Sequence, residues 1–218
     1  MTRRRLSWHI PWMTDKDADD GRMSERRQGA RRRRIKKVTP QYLERVGLWY
    51  LERYGSSSAN FERVLWRRVE RSAKEHGTDP EEGRKAIVAL VSKLQRAGLL
   101  NDRAYAQSRA RGLFRKGQSL KAIDQSLRQK GLAEEDRQAA IEQFEEADED
   151  TDLAAAATYA RRRRLGPYRP SEKRAETRER DLAALARRGF DYATAREVID
   201  AEDPEILEAV AHKILASL

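Results

Sequence analysis

The sequence predicts an all-α chain, an elongated tandem array of three-helix repeats with about nine helices plus a C-terminal tenth and no sheet. Three observations predict it. Apolar residues recur at three- and four-residue intervals, and no segment alternates with period two. Glycines and helix-capping residues punctuate these stretches throughout the chain. Charged residues make up 38% of the 218 positions and hydrophobic ones 39%. That balance is thin for one thick core and suits helices that each bury a stripe and solvate the rest.

Each element has its own signal. Residues 1–38 lack periodicity and carry Arg3-Arg4-Arg5, Arg31 to Arg34 and Lys36-Lys37, so they read as a disordered basic arm. At Thr39-Pro40 a capping residue precedes proline, and Leu43, Val46 and Tyr50 follow on one helical face. Ser57 caps a second helix, with Phe61, Val64, Leu65 and Val69 inward and Gly77 at its end. Asp79-Pro80 starts a third, which buries Ile87, Leu90, Val91 and Leu94 and closes at Gly98. Asn101 caps the fourth, through about Arg115, and Ser119 caps the fifth, with Leu120, Ile123 and Leu127 on its stripe. The sixth carries Ala140, Ile141 and Phe144. The alanine-rich run from Leu153 to Tyr159 leads into Arg161 to Arg164 and stops at Gly166-Pro167. Ser171 begins the eighth helix, residues 192–200 form the ninth, and Asp203-Pro204 opens the tenth, with Ile206, Leu207, Val210 and Ile214 as its stripe.

A weak repeat underlies the pattern. Leu127-Arg-Gln-Lys-Gly-Leu132 is similar to Leu185-Ala-Arg-Arg-Gly-Phe190, and Glu75-His76-Gly77 is a fainter third copy. The expected organisation is therefore an arm (1–38), three-helix repeats at 39–98, 99–147 and 148–201, and an extra helix at 202–218. One such unit buries little alone, so neighbours must stack.

The composition excludes several chemistries. The chain has no cysteine, which removes disulfides, thiolate metal sites and cysteine nucleophiles. Its histidines (His9, His76, His212) are far apart in sequence, and no metal site is expected. Residues 112–119, GLFRKGQS, approach a phosphate-binding loop, but Gln118 stands where lysine is needed and a helix precedes the loop instead of a strand. Carboxylate pairs such as Glu81-Glu82 and Glu145-Glu146 suit solvated helix faces. No catalytic residue and no cofactor is therefore expected. No stretch approaches the ~18 apolar residues of a membrane span, and Leu6 to Met13 is broken by His9 and Pro11. A soluble, cytoplasmic protein without a membrane partner is the expectation.

Charge points to a polyanion or an acidic partner. The net charge is +10, and most of the excess lies in residues 1–38. In the remainder, an acidic stretch at 142–152 separates two basic bands. The first holds Arg109, Arg111, Arg115, Lys116, Lys121, Arg128 and Lys130; the second opens with Arg161, Arg162, Arg163 and Arg164. Bands of this kind suit docking along another charged, extended object, although intramolecular pairing with Asp102 or Asp124 is an equal reading for any one of them. Among the aromatic residues of the first repeat, Tyr50 lies on the apolar stripe, and Trp66 lies off it as the better exposed candidate for stacking on a base.

One segment carries a resemblance. Gly98-Leu99-Leu100-Asn101-Asp102-Arg103-Ala104-Tyr105-Ala106, then Arg115-Lys116-Gly117, then Ile123 and Leu127-Arg-Gln-Lys-Gly131, resembles the RecX regulatory family. The likeness runs more weakly from Thr39 to Ala201, with Gly189 in the last repeat. It implies a non-enzymatic, monomeric regulator that binds the RecA recombinase filament on single-stranded DNA. Such a regulator limits strand exchange, ATP hydrolysis and co-protease activity, within homologous recombination, DNA repair and the SOS response. Asn101 or Asp102 would then serve the start of the fourth helix, and Tyr105 and Ala106 would pack between repeats. Arg109, Arg115, Lys116 and Arg128 would face the filament. The alternative reading is a general helical nucleic-acid-binding protein or transcription regulator acting without RecA.

Overall fold

Most helices in this chain start by one local chemistry. The structure, a computed structural model, describes residues 35–145 and 150–217. In it the side chains of Thr39, Ser57, Asp79, Asn101 and Ser119 accept hydrogen bonds from amides of the helical turn that follows: Tyr42, Asn60, Glu81, Ala104 and Ala122. Each such cap contributes roughly 0.5–2 kcal/mol. Pro40 and Pro80 occupy first-turn positions, where a missing N–H costs nothing.

The helices are α1 (Pro40–Leu51), α2 (Ser58–His76), α3 (Pro80–Arg96), α4 (Asp102–Phe114), α5 (Leu120–Gln129), α6 (Glu134–Glu145), α7 (Thr151–Arg163), α8 (Ser171–Ala186), α9 (Tyr192–Asp200) and α10 (Pro204–Ser217). A 3-10 turn, Gly166–Tyr168, lies between α7 and α8. No strand occurs among the described residues. The packing falls into triplets: α1–α3, α4–α6 and α7–α9, with α10 laid against α7.

Two apolar cores result. The first belongs to α1–α3 and its exit, with Leu43, Phe61, Leu65, Val69, Leu94 and Leu100 at its centre. The second runs through α4–α10 without a break, from Ala106, Phe114, Ile123 and Phe144 to Ala155, Leu185, Val198 and Ile214. Phe114 and Phe144 tilt against each other with ring centroids 4.9 Å apart. The alanines of α7, buried from Ala154 to Ala157, allow close approach of its neighbours.

The triplets are joined by a repeated device. Ser57 caps α2 and also donates its hydroxyl to the carbonyl of Lys130 at 2.6 Å, just before the turn at Gly131. Ser119 caps α5 and donates to the carbonyl of Arg188 at 3.0 Å, just before Gly189. At each junction the first amide of the capped helix is taken by an aspartate of the next triplet. Ser58 N–H bonds Asp102 at 2.7 Å, and Leu120 N–H bonds Asp152 at 2.9 Å. Both turn glycines are in the left-handed region and leave no room for a side chain. A Cβ at Gly131 would stand 2.6 Å from the Ala59 side chain, and one at Gly189 2.6 Å from Ser119 Oγ. In the third triplet Pro170 precedes α8 and has no hydroxyl to offer, so the device is not repeated there.

Three expectations are corrected. Residues 1–34 of the predicted arm lie outside the described residues, but 35–38 are not a free tail: Val38 N–H donates to Ser72 Oγ at 2.9 Å, and His76 Nε2 lies 2.8 Å from the Ile35 carbonyl oxygen. Trp66 is only half-exposed; it packs on the first core, with the Arg84 guanidinium 4.7 Å above its ring. Ile206 is 67% exposed, because α10 presents Leu207, Ala211 and Ile214 to α7 and turns Ile206 away. Leu120 and Ile141 pack against the second core as their stripes predict, half-buried at its rim.

Candidate functional site

Basic residues at the C-terminal ends of α4, α7 and α8 come together where the second and third triplets join. α4 is followed by Arg115, its C-cap, and Lys116, both exposed, before the turn at Gly117. α7 passes directly beneath that turn: a Cβ at Gly117 would lie 2.7 Å from the Tyr159 amide nitrogen. This contact brings the cationic end of α7 to that of α4, and Arg162 donates to the Lys116 carbonyl at 3.0 Å. The Arg188 guanidinium, from the end of α8, covers the Tyr159 ring at 4.7 Å. Lys116, Arg162 and Arg188 therefore gather around Gly117 and Tyr159, although they come from three separate helices.

Beside this cluster lies an open cleft of about 290 Å³, lined by Gln118, Ala122, Gln125, Ser126, Gln129, Arg187 and Arg188. The α5 members share a face because 122, 125, 126 and 129 follow helical spacing. No carboxylate lines the cleft. Lys121, Gln125 and Arg128 form a neighbouring line on the exposed side of α5, at i, i+4 and i+7. Amide and guanidinium groups in such a cleft donate to phosphate oxygens, and glutamine both donates to and accepts from base edges. No histidine or carboxylate stands beside Ser126 in the cleft lining, and no cluster of metal-ligating side chains occurs among the described residues.

The predicted cations divide accordingly. Arg115, Lys116, Lys121, Arg128, Arg163 and Arg164 are exposed. Arg161 is exposed and lies 3.9 Å from Glu208 of α10. Arg109, Arg111 and Lys130 are half-buried. Arg111 donates to Gln143 at 2.9 Å, and the Lys130 carbonyl serves the first junction. Buried Arg109 Nε has no hydrogen-bond partner. Asp124 does pair with an arginine, but the partner is Arg137.

Arg187 and Arg188 line the cleft and are not among the cations the sequence singles out. Their sequence context, Leu185 to Phe190, reads as a helix end and turn, and Leu185 and Phe190 are indeed buried. The adjacent pair of arginines was the available signal.

Comparison with known proteins follows the same segment. A family model described as RecX, second three-helix domain, matches residues 101–141, which span α4, α5 and most of α6. The regulatory protein RecX of Myxococcus xanthus (strain DK1622) is 47% identical over 171 residues, covering 77% of this chain and 89% of that protein. The chain belongs to the RecX family. Regulatory protein RecX of Agrobacterium fabrum (strain C58) is 36% identical over 100 residues, covering 46% of this RecX chain and 51% of that protein. A crystal structure of a regulatory protein RecX aligns with a TM-score of 0.50 at 24% identity, covering 74% of this chain and 72% of that one, a likeness of fold.

The family motif turns out to build junctions. Asn101 caps α4, and Asp102 takes the Ser58 amide. Tyr105 packs beside Gly55 of the first triplet, where burial pushes its hydroxyl pKa up, and Ala106 is fully buried. Ile123 and Leu127 are fully buried, and Gly117, Gly131 and Gly189 are the close-approach turns. Gly98 closes α3 with positive φ, Leu99 is 57% exposed, and the buried member of that pair is Leu100. No described helix of this RecX chain is long and apolar enough to cross a membrane.

Proposed function

We propose that this chain is a non-enzymatic regulator that docks, as a monomer, on the RecA filament assembled on single-stranded DNA and restrains strand exchange, ATP hydrolysis and co-protease function. The proposed repeats are 39–98, 99–147 and 148–201, with 202–218 added after them. One observation carries the reading: cations from α4, α7 and α8 converge beside a cleft free of carboxylates, in a chain whose relatives are named regulatory proteins. A polymer with a regular array of phosphates and protein subunits offers many such contacts at once, and linked repeats convert weak contacts into avidity. Fixed charges also raise the encounter rate. The site belongs to the cytoplasm, where recombinase filaments form, and needs no cofactor.

The test is RecA ATPase and strand exchange with the protein added. The wild-type chain is expected to inhibit both. Arg115→Glu with Lys116→Glu, and separately Arg187→Glu with Arg188→Glu, are expected to raise the half-inhibitory concentration by roughly tenfold, or about 1.4 kcal/mol of binding, with helicity unchanged. Inhibition by both double variants at the wild-type concentration would remove these side chains from the interface. Absence of inhibition by the wild type at several-fold excess would discard the function itself. The cleft of Gln118, Gln125, Gln129, Arg187 and Arg188 favours one second reading, a nucleic-acid binder independent of RecA. It requires tight binding to bare DNA that weakens steeply with salt.

A further inference from the structure

The two junctions of this chain share one polar latch but differ in what lies behind it. Between the second and third triplets the apolar core is continuous: Ala155, Leu185 and Val198 belong to the same cluster as Ala106, Ile123 and Phe144. Between the first and second triplets it is interrupted. The first core ends at Leu100, and the two clusters share no residue.

What joins the first triplet to the second is mainly polar. Ser57 donates to the Lys130 carbonyl, and Asp102 accepts from the Ser58 amide. The Ala59 methyl abuts Gly131, and the half-buried Tyr105 ring sits beside Gly55. Ser56, Ser57 and Ser58 are all buried there, so hydroxyls occupy positions that side chains of a continuous core would fill. Hydrogen bonds of this kind exchange for bonds to water at small net cost, whereas separating a shared apolar core exposes it.

We infer that the first junction is a latched hinge, about which α1–α3 swing as one body while α4–α10 move as another. The pivot is the segment from Ala97 to Asn101, which leaves α3 through the left-handed Gly98 and enters α4 at its cap. The second junction carries the same latch but is welded by the core behind it. A protein with this hinge presents two bodies to a partner and adjusts the angle between them without unfolding either. The inference concerns the free chain and stands apart from the proposed function.

The chain has no cysteine, so spin labels can be placed at will. Lys85→Cys with Glu135→Cys spans the first junction, and Glu135→Cys with Arg196→Cys spans the second; all three positions are exposed on helices. Pulsed electron–electron resonance on the full-length chain reads the distance distributions. The first pair is expected to give the broader distribution. Ser57→Ala with Asp102→Ala is expected to at least double the width for the first pair and leave the second unchanged. Ser119→Ala with Asp152→Ala removes the equivalent latch and is expected to widen neither. Equally narrow distributions for the two wild-type pairs, or equal broadening by the two latch variants, overturns the hinge. The wild-type comparison decides alone if a latch variant loses helical content by circular dichroism.

Discussion

Asp181→Ala is expected to cost about 3–5 kcal/mol of folding stability, the usual penalty for removing one partner of a buried ion pair. Asp181 is 1% exposed. Its carboxylate receives Arg169 Nε at 2.7 Å, Arg169 Nη2 at 2.8 Å and the Gly166 amide at 3.0 Å. The arginine is itself largely covered, so it would keep a desolvated charge with no counter-ion. The same carboxylate fixes the 3-10 turn between α7 and α8, and the loss would spread to the way α8 enters the third triplet. Against a total stability of about 5–15 kcal/mol, such a loss is readily measured by urea denaturation. A cost below about 1 kcal/mol would mean that the pair behaves as an exposed one.

The same pair gives stability a pH dependence. Burial pushes the Asp181 pKa up, but the hydrogen bonds from Arg169 and from the Gly166 amide outweigh it and hold the group below the ordinary carboxylate value. A folded-state pKa below the unfolded one means that the contribution is complete above the unfolded value, near pH ~4, and fades as pH falls through the folded value. The midpoint of wild-type unfolding should therefore fall more steeply between pH 5 and pH 3 than that of Asp181→Ala (roughly one unit either side of the free carboxylate). Parallel curves would assign the acid sensitivity elsewhere.

The difference between what was legible and what was not follows the range of the interaction. Thr39, Ser57, Asp79, Asn101 and Ser119 were readable as caps because each satisfies an amide two or three residues away. Leu43, Phe61, Ile123 and Leu127 were readable because helical spacing alone places them inward. The second bond made by Ser57 reaches Lys130, and that of Ser119 reaches Arg188; nothing local requires either. Asp181 sits among Glu179, Arg180 and Leu182 like any residue of a solvated face, and only the tertiary position of Arg169 makes it a core residue. Ile206 departs in the opposite sense: its spacing fits a stripe, but α10 packs chiefly on α7 and makes only a narrow contact. For the site, the basic bands were visible, whereas the convergence of Lys116, Arg162 and Arg188 depends on how α4, α7 and α8 cross. Three of the seven cations of the first band, Arg109, Arg111 and Lys130, are half-buried, because charge counts carry no information about burial.

Gly117→Ala should couple stability to function more strongly than the same change at Gly77, and the contrast isolates the reason. Both glycines have φ in the left-handed region, at 71° and 63°. An alanine there costs about 1–2 kcal/mol from backbone conformation alone. At Gly77 that is the whole cost, because a Cβ would meet nothing within 4 Å. At Gly117 the Cβ would also stand 2.7 Å from the Tyr159 amide nitrogen and 2.9 Å from the Ala155 carbonyl oxygen. These are backbone atoms inside α7, so no rotamer change relieves the overlap, and strain of about 1–3 kcal/mol is added. Relief requires the α4 turn to lift away from α7, which parts Lys116 from Arg162 and uncovers the Tyr159–Arg188 stack. The expected result is a loss of about 2–5 kcal/mol in denaturant unfolding for Gly117→Ala, with weakened inhibition of RecA, against about 1–2 kcal/mol and full inhibition for Gly77→Ala. Equal losses at the two positions would mean that the α4–α7 contact yields freely, and the cationic cluster would then have no rigid frame.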